Sequence, residues 1–185
     1  MKKYLMIGAA LAALSGAAQA QDFDGGRVEA RLGWETPTVS GDGDVYKLGS
    51  AVSYGGEVGY DLKAGTSVVV GPYATYEFSS VDLCDGTDCL SVDGNLGVGG
   101  RIGFIAGSNA LIYGKVGYAR ITISADDGVS QGSTSKSGIQ GALGLEMNFG
   151  KSLYGKIEGN YGDYGKLFGI NLQRRQLAVG LGVRF

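Results

Sequence analysis

From Arg27 onward, apolar residues recur at every second position in runs of 9 to 14 residues, and clusters of Gly, Asp, Ser and Asn separate the runs. Eight runs can be counted, near 27–35, 50–62, 66–78, 92–105, 110–123, 138–149, 152–162 and 174–185. A beat of two belongs to an extended strand, whose successive side chains face opposite sides of a sheet; no run sustains a helical period. The connections alternate between short (63–65, 106–109, 150–151) and long (36–49, 79–91, 124–137, 163–173). This predicts an all-β fold, an eight-stranded antiparallel up-and-down barrel with two unlike ends. Pro72 falls inside the third run, where it removes a ladder donor, and a bulge there would flip the parity assigned beyond it, so the sequence leaves that parity open.

Alternation alone does not say which face is inside. A soluble barrel turns its apolar set inward and a transmembrane β-barrel turns it toward lipid. One parity collects Arg27, Glu29, Arg31, Glu35, Glu57, Asp61, Glu77, Asp93, Arg101, Lys115, Glu146, Lys156, Glu158, Arg174 and Arg184, eight acids and seven bases. The opposite parity in the strand interiors holds only Arg120 and Arg175, near the long-loop ends. That segregation is required of a membrane barrel but would also suit a soluble one.

The aromatic residues of the apolar parity decide between them. Trp34, Tyr54, Tyr76, Phe78, Tyr118 and Tyr161 fall near the long-loop end, and Tyr60, Phe104, Phe149 and Phe185 near the short-turn end. Val28, Val68, Val70, Val98, Val116, Ile157 and Leu181 lie between the two bands. Two aromatic girdles about an aliphatic waist match the two membrane–water interfaces, and a soluble core has no reason to sort rings by height. Glycine, at 35 residues, agrees. Gly33, Gly55, Gly59, Gly97, Gly99, Gly103, Gly117, Gly144, Gly180 and Gly182 share the charged parity, where an eight-stranded lumen leaves long side chains little room. Gly94, Gly100, Gly114 and Gly159 sit on the lipid parity, where only sheet curvature accounts for them.

The chain opens on MKKYLMIGAALAALSGAAQA, with a Lys2-Lys3 start, an apolar run over 4–14 and a small-residue site at Ala18-Gln19-Ala20. This is the pattern of a cleaved secretory signal peptide, residues 1–20, ahead of a barrel domain at 21–185; the apolar run is too short for a spanning helix. Cleavage removes two of the 16 basic residues and none of the 18 acidic ones, leaving 165 residues with a net charge of −4. Nothing there suits nucleic acid.

Fifteen charges on one inward face predict an ion-pair network across the lumen. It is centred on Arg27, Glu29, Arg31, Glu57, Glu77, Arg101, Lys115, Glu146, Lys156, Glu158 and Arg184, because unpaired buried charges cost several kcal/mol each. Pairs such as Glu29 with Glu57 or Glu146 with Glu158 have the residue types of acid–base chemistry, but salt bridges to Arg27, Arg101 or Lys156 are the simpler reading. With no His in the chain, the activating base of a hydrolase is missing, so no catalytic residue, cofactor or metal is assigned. The acidic loop patches, GDGD at 41–44, Asp82, Asp85 and Asp88, and Asp126-Asp127-Gly128, offer calcium-type oxygens but lack the EF-hand pattern; turn chemistry accounts for them. Cys84 and Cys89, in CDGTDC on one long loop of an exported chain, are expected to form a disulfide that shapes the loop tip.

GYARITI (117–123), KIEGNYGDYG (156–165) and the terminal VGLGVRF (179–185), together with the signal and the eight strands, resemble the small opacity-type and OmpA-like outer membrane β-barrels of Gram-negative bacteria. The resemblance covers the whole mature chain. It implies location in the cell outer membrane and contact with outer-membrane lipid and lipopolysaccharide. It also implies a monomer escorted by periplasmic chaperones and inserted by the barrel-assembly machinery, with Val179, Leu181, Val183 and Phe185 as the assembly signal. The expected role is structural or adhesin-like, with host or cell-surface ligands met through the external loops. A narrow porin-like channel for ions or small solutes is the alternative.

Overall fold

The computed structural model describes residues 23–41, 44–47, 50–80, 82–85, 88–126, 131–167 and 170–185. The signal segment 1–20 lies outside them. All regular structure in the described residues is β: β1 (Gly25–Gly41), β2 (Asp44–Lys47), β3 (Ala51–Lys63), β4 (Val68–Ser79), β5 (Asp82–Asp85), β6 (Asp88–Ala106), β7 (Ala110–Asp126), β8 (Gln131–Asn148), β9 (Leu153–Leu167) and β10 (Ile170–Arg184). Eight long strands pair antiparallel in the order β1-β3-β4-β6-β7-β8-β9-β10. β1 then pairs with β10 from Arg27–Arg184 to Ser40–Asn171 and closes the barrel, so no long strand keeps a free edge. The four-residue strands β2 and β5 fold back on the ends of β1 and β6.

The short connections are tight because glycine permits them. Gly65 and Gly107 hold φ of +88° and +74°, a region that L side chains avoid, and the turn after β3 closes with Ala64 N donating to Val68 O at 2.8 Å. The long connections differ from expectation: much of 36–49, 79–91, 124–137 and 163–173 is strand. The β6–β7 ladder runs up to Cys89–Asp126, with one register shift between Val92 and Gly94, and the β7–β8 ladder runs unbroken up to Asp126–Gln131. The apolar beat stops in these stretches because both sides of the ribbon leave the membrane, while the backbone ladder needs no apolar beat to continue.

Burial is inverted relative to a soluble protein. Leu143, Ile139 and Val116 are 75%, 66% and 63% exposed, whereas Glu57, Asp61 and Glu146 are 1%, 0% and 0% exposed. The lipid-facing assignment of the apolar parity therefore holds around the barrel. Pro72, where the sequence left the parity open, carries no bulge: Val69, Tyr73, Thr75 and Glu77 are all buried, and Pro72 is exposed and pairs with Gly100 in register. The β3–β4 ladder omits the two pairs opposite Pro72 and Gly71 and resumes in the same register at Leu62–Val70. Loss of one donor thus removes rungs without adding a residue. Register shifts lie instead on β6 between Val92 and Gly94, at Asp93, whose side chain is outside the described set, and in the β9–β10 ladder between Asn171 and Gln173.

The inward glycines make room. A Cβ on Gly59 would stand 2.6 Å from the Arg27 guanidinium, and one on Gly182 would stand 2.5 Å from the Tyr154 ring. Of the lipid-side glycines, Gly94 is buried under Tyr76, whose hydroxyl is 3.0 Å from where its Cβ would be. Gly100 and Gly159 have no such cover, with one atom at 3.9 Å and none within 4 Å, respectively.

Candidate functional site

The lumen is the only place where the fold gathers reactive groups among the described residues. All eleven charges expected in the network point inward and are buried, as are Glu35, Asp61 and Arg174. The fourteen buried charges are seven acids (Glu29, Glu35, Glu57, Asp61, Glu77, Glu146, Glu158) and seven bases (Arg27, Arg31, Arg101, Lys115, Lys156, Arg174, Arg184), so the set is neutral. Each carboxylate has a cationic nitrogen at 2.5 to 2.9 Å.

The network falls into three tiers. Near the short turns, Arg101 grips Asp61 with both arms of its guanidinium, Nε to Oδ1 at 2.8 Å and Nη2 to Oδ2 at 2.7 Å. Arg184, the direct cross-strand partner of Arg27, binds Asp61 at 2.9 Å and Glu146 at 2.8 Å. At mid-height Glu57 accepts from Arg27 at 2.5 Å, Arg31 at 2.6 Å, Lys115 at 2.7 Å and Lys156 at 3.3 Å. Glu158 is bound by Arg31 and Lys115 at 2.7 Å each, and Lys156 bridges to Glu29 at 2.5 Å. Toward the long loops, Arg174 joins Glu35 at 2.5 Å to Glu77 at 2.9 Å, and Glu35 also takes the Ser79 hydroxyl. Carboxylates saturated by cations are poor bases, so this arrangement suits electrostatic cross-bracing rather than proton transfer.

Neutral residues missed in the sequence complete the lumen. Tyr113 Oη donates to Glu158 at 2.8 Å, Tyr154 Oη to Glu29 at 3.0 Å and Tyr164 Oη to Asn95 at 3.1 Å. Lys115 Nζ lies 4.6 Å from the Tyr73 ring centre, and Arg101 lies 4.9 Å from that of Tyr113. Such contacts add to cation binding where water is excluded. The signal was present, since Tyr113 shares parity with Lys115, and Tyr154 with Lys156 and Glu158. At the short-turn end, Phe23, only 2% exposed, packs with Val69, Leu111 and Tyr113, and the Arg184 guanidinium lies 5.3 Å over its ring. Phe23 precedes the first alternating run, so periodicity could not find it.

The outward face carries all ten expected girdle residues, from Phe78 at 43% exposed to Phe149 at 62%. Val179, Leu181 and Val183 alternate outward with Phe185 on β10. Phe185 exchanges two backbone hydrogen bonds with Gly26, at 2.8 and 2.9 Å, and its ring lies over that glycine. Cys84 and Cys89 are cross-strand partners in the β5–β6 hairpin, while their side chains lie outside the described residues. Among the described residues no group of His, Cys, Asp and Glu is arranged to hold a metal.

The same fold is found in solved proteins. Neisserial surface protein A aligns with a TM-score of 0.58 at 16% identity, over 85% of this chain and 97% of its own. Ail, the attachment invasion locus protein of Yersinia pestis, aligns at 0.54 and 15%, over 85% of this chain and 99% of its own. A second Ail structure, in complex with the heparin analogue sucrose octasulfate, aligns at 0.56 and 17%, with the same coverage. No curated protein matches the sequence. The family described as outer membrane protein beta-barrel domain matches residues 6–185, nearly the entire chain, and the protein belongs to that family of the Gram-negative outer membrane.

Proposed function

We propose that the protein is a non-enzymatic surface barrel whose lumen is shut by its ion-pair network and whose external ribbons meet a partner outside the cell. The observation that carries the first half is the neutral, fully paired set of seven acids and seven bases, with network side chains no more than 6% exposed. An ion entering the lumen would have to displace charge-assisted bonds such as those of Glu57 to Arg27, Arg31 and Lys115. Phe23 and its apolar neighbours add a dry layer at the periplasmic mouth.

The adhesin-like half rests on the extended ribbons, which carry the chain beyond the aromatic girdle. Ail shares the fold and was solved with a sulfated ligand, but the four long connections here carry Asp42, Asp44, Asp82, Asp85, Asp88, Asp126, Asp127 and Asp163 against Lys47, Lys136 and Lys166. Eight acids against three bases repel a polyanion, so the partner of this chain is a neutral or cationic surface. The reading includes removal of residues 1–20, and insertion by the assembly machinery through the terminal strand.

Planar-bilayer recording tests the shut lumen. Refolded wild-type protein should give no steady unitary current, and Phe23→Ala should raise leak without abolishing the heat-modifiable gel shift of a folded barrel. Steady wild-type conductance would establish the narrow channel instead. Cells expressing a barrel shortened across 82–88 should lose adhesion while keeping outer-membrane levels; unchanged adhesion would remove this loop from the proposal.

A further inference from the structure

Three guanidinium groups meet on one carboxylate oxygen at the short-turn end of the lumen. Asp61 Oδ2 has Arg101 Nη2 at 2.7 Å, Arg184 Nη2 at 2.9 Å and Arg27 Nε at 3.3 Å. Glu146, bound by Arg101 and Arg184, is the second acid of this tier. Arg27 also reaches Glu57, but the mid-height acids Glu29, Glu57 and Glu158 are already matched by Arg31, Lys115 and Lys156. Three cations against two carboxylates leave one surplus positive charge. At the long-loop end, where Arg174 alone faces Glu35 and Glu77, the sign is reversed. The neutrality of the lumen is thus a sum over two ends of opposite charge.

The surplus falls on Arg27 and Arg184, direct cross-strand partners on β1 and β10. Like charges set opposite one another are destabilising unless a counter-charge joins them. Arg184 serves both of its carboxylates through Nη2, while its Nε and Nη1 have no hydrogen-bond partner among the described residues; nor does Arg27 Nη2. Both residues are more than nine-tenths buried, and the Phe23 and Tyr154 rings stand with their centres 5.3 and 5.2 Å from the Arg184 guanidinium carbon. The spare groups of this tier are all donors, which is the complement of an anion: it accepts and donates nothing. Asn160 and Gln176, cross-strand partners farther up the lumen, instead leave one donor and one acceptor, Nδ2 and Oε1, a pair suited to water.

We propose that Arg27 and Arg184 bind a small monovalent anion of halide size, drawn from the periplasmic side. One negative charge cancels the surplus of the tier, whereas a dianion such as phosphate would overshoot it. The proposal does not depend on whether the lumen conducts.

Urea unfolding of the refolded protein in lipid, followed by the single tryptophan, Trp34, reads occupancy through linkage. Chloride replaces gluconate, which is too large for the site, at constant ionic strength. Above the dissociation constant, each tenfold rise in chloride should raise the folding constant tenfold, the slope of one bound ion. Arg184→Gln removes the surplus charge and should abolish that slope. A second measurement needs no variant: crystals of the wild-type protein grown in bromide should show an anomalous peak within hydrogen-bond reach of Arg27 and Arg184. A wild-type slope of zero, or an equal slope in Arg184→Gln, overturns the site. A bromide crystal without the peak overturns it as well, and a peak without a chloride slope marks an adventitious ion only.

Discussion

Lys115 on β7 and Glu57 on β3 arise from walls separated by two intervening strands, yet Nζ and Oε2 stand 2.7 Å apart. The barrel is therefore braced across its diameter as well as around its circumference. Glu57 is the hub of that brace, because Arg27, Arg31 and Lys156 converge on the same carboxylate.

Replacing Glu57 by Ala should destabilise the barrel by about 3–5 kcal/mol, since four buried cations lose a common partner. Urea unfolding in lipid, followed by Trp34 emission, measures it. The double variant Glu57→Met with Lys115→Met should recover part of the loss that Glu57→Met causes alone; strictly additive losses would mean that the two do not interact.

Glycine should be intolerant inside and tolerant outside. Gly182→Ala places a methyl 2.5 Å from the Tyr154 ring and 2.8 Å from Glu29 Cβ, and should cost about 1–3 kcal/mol. Gly100→Ala, whose nearest atom is 3.9 Å away, should stay within about 0.5 kcal/mol of wild type in the same assay.

The terminal residue has two separable duties. Deleting Phe185 removes both backbone bonds to Gly26 at the β1–β10 seam, whereas Phe185→Ala keeps them and removes only the ring. If the ring is the assembly signal, Phe185→Ala should lower outer-membrane levels several-fold while leaving the unfolding midpoint of refolded protein nearly unchanged. Normal levels of Phe185→Ala would restrict the residue to its seam contacts.

The hairpin formed by β5 and the start of β6 sets Cys84 opposite Cys89, a pairing compatible with a cross-strand disulfide. Protein purified from outer membranes and alkylated without reduction should carry no label at either position, and reduction should expose both. Labelling before reduction would show free thiols.

The two-residue beat made the barrel legible because period and facing are the same property in a strand. Val179, Leu181 and Val183 face outward for the same reason that Arg184 faces in. Charge parity reached Glu57 and Lys115 as neighbours in a network, but not their meeting across the lumen, which depends on barrel diameter and stagger. Phe23 lay outside any run, and the ribbons beyond the girdle lacked an apolar beat. The parity beyond Pro72 could not be read from the sequence, because a missing donor can either thin a ladder, as it does here, or accompany an added residue that shifts it.

The β7 ladder continues for eight residues past the girdle ring of Tyr118 to Asp126, roughly 26 Å of paired backbone at about 3.3 Å per residue. What projects from the membrane is thus closer to a stiff mast than to a tether. A partner docking on it would meet a backbone already fixed by its own ladder, so little chain entropy would be lost on contact. Sequence drift at the tips could then change the ligand while the reach beyond the girdle stays constant.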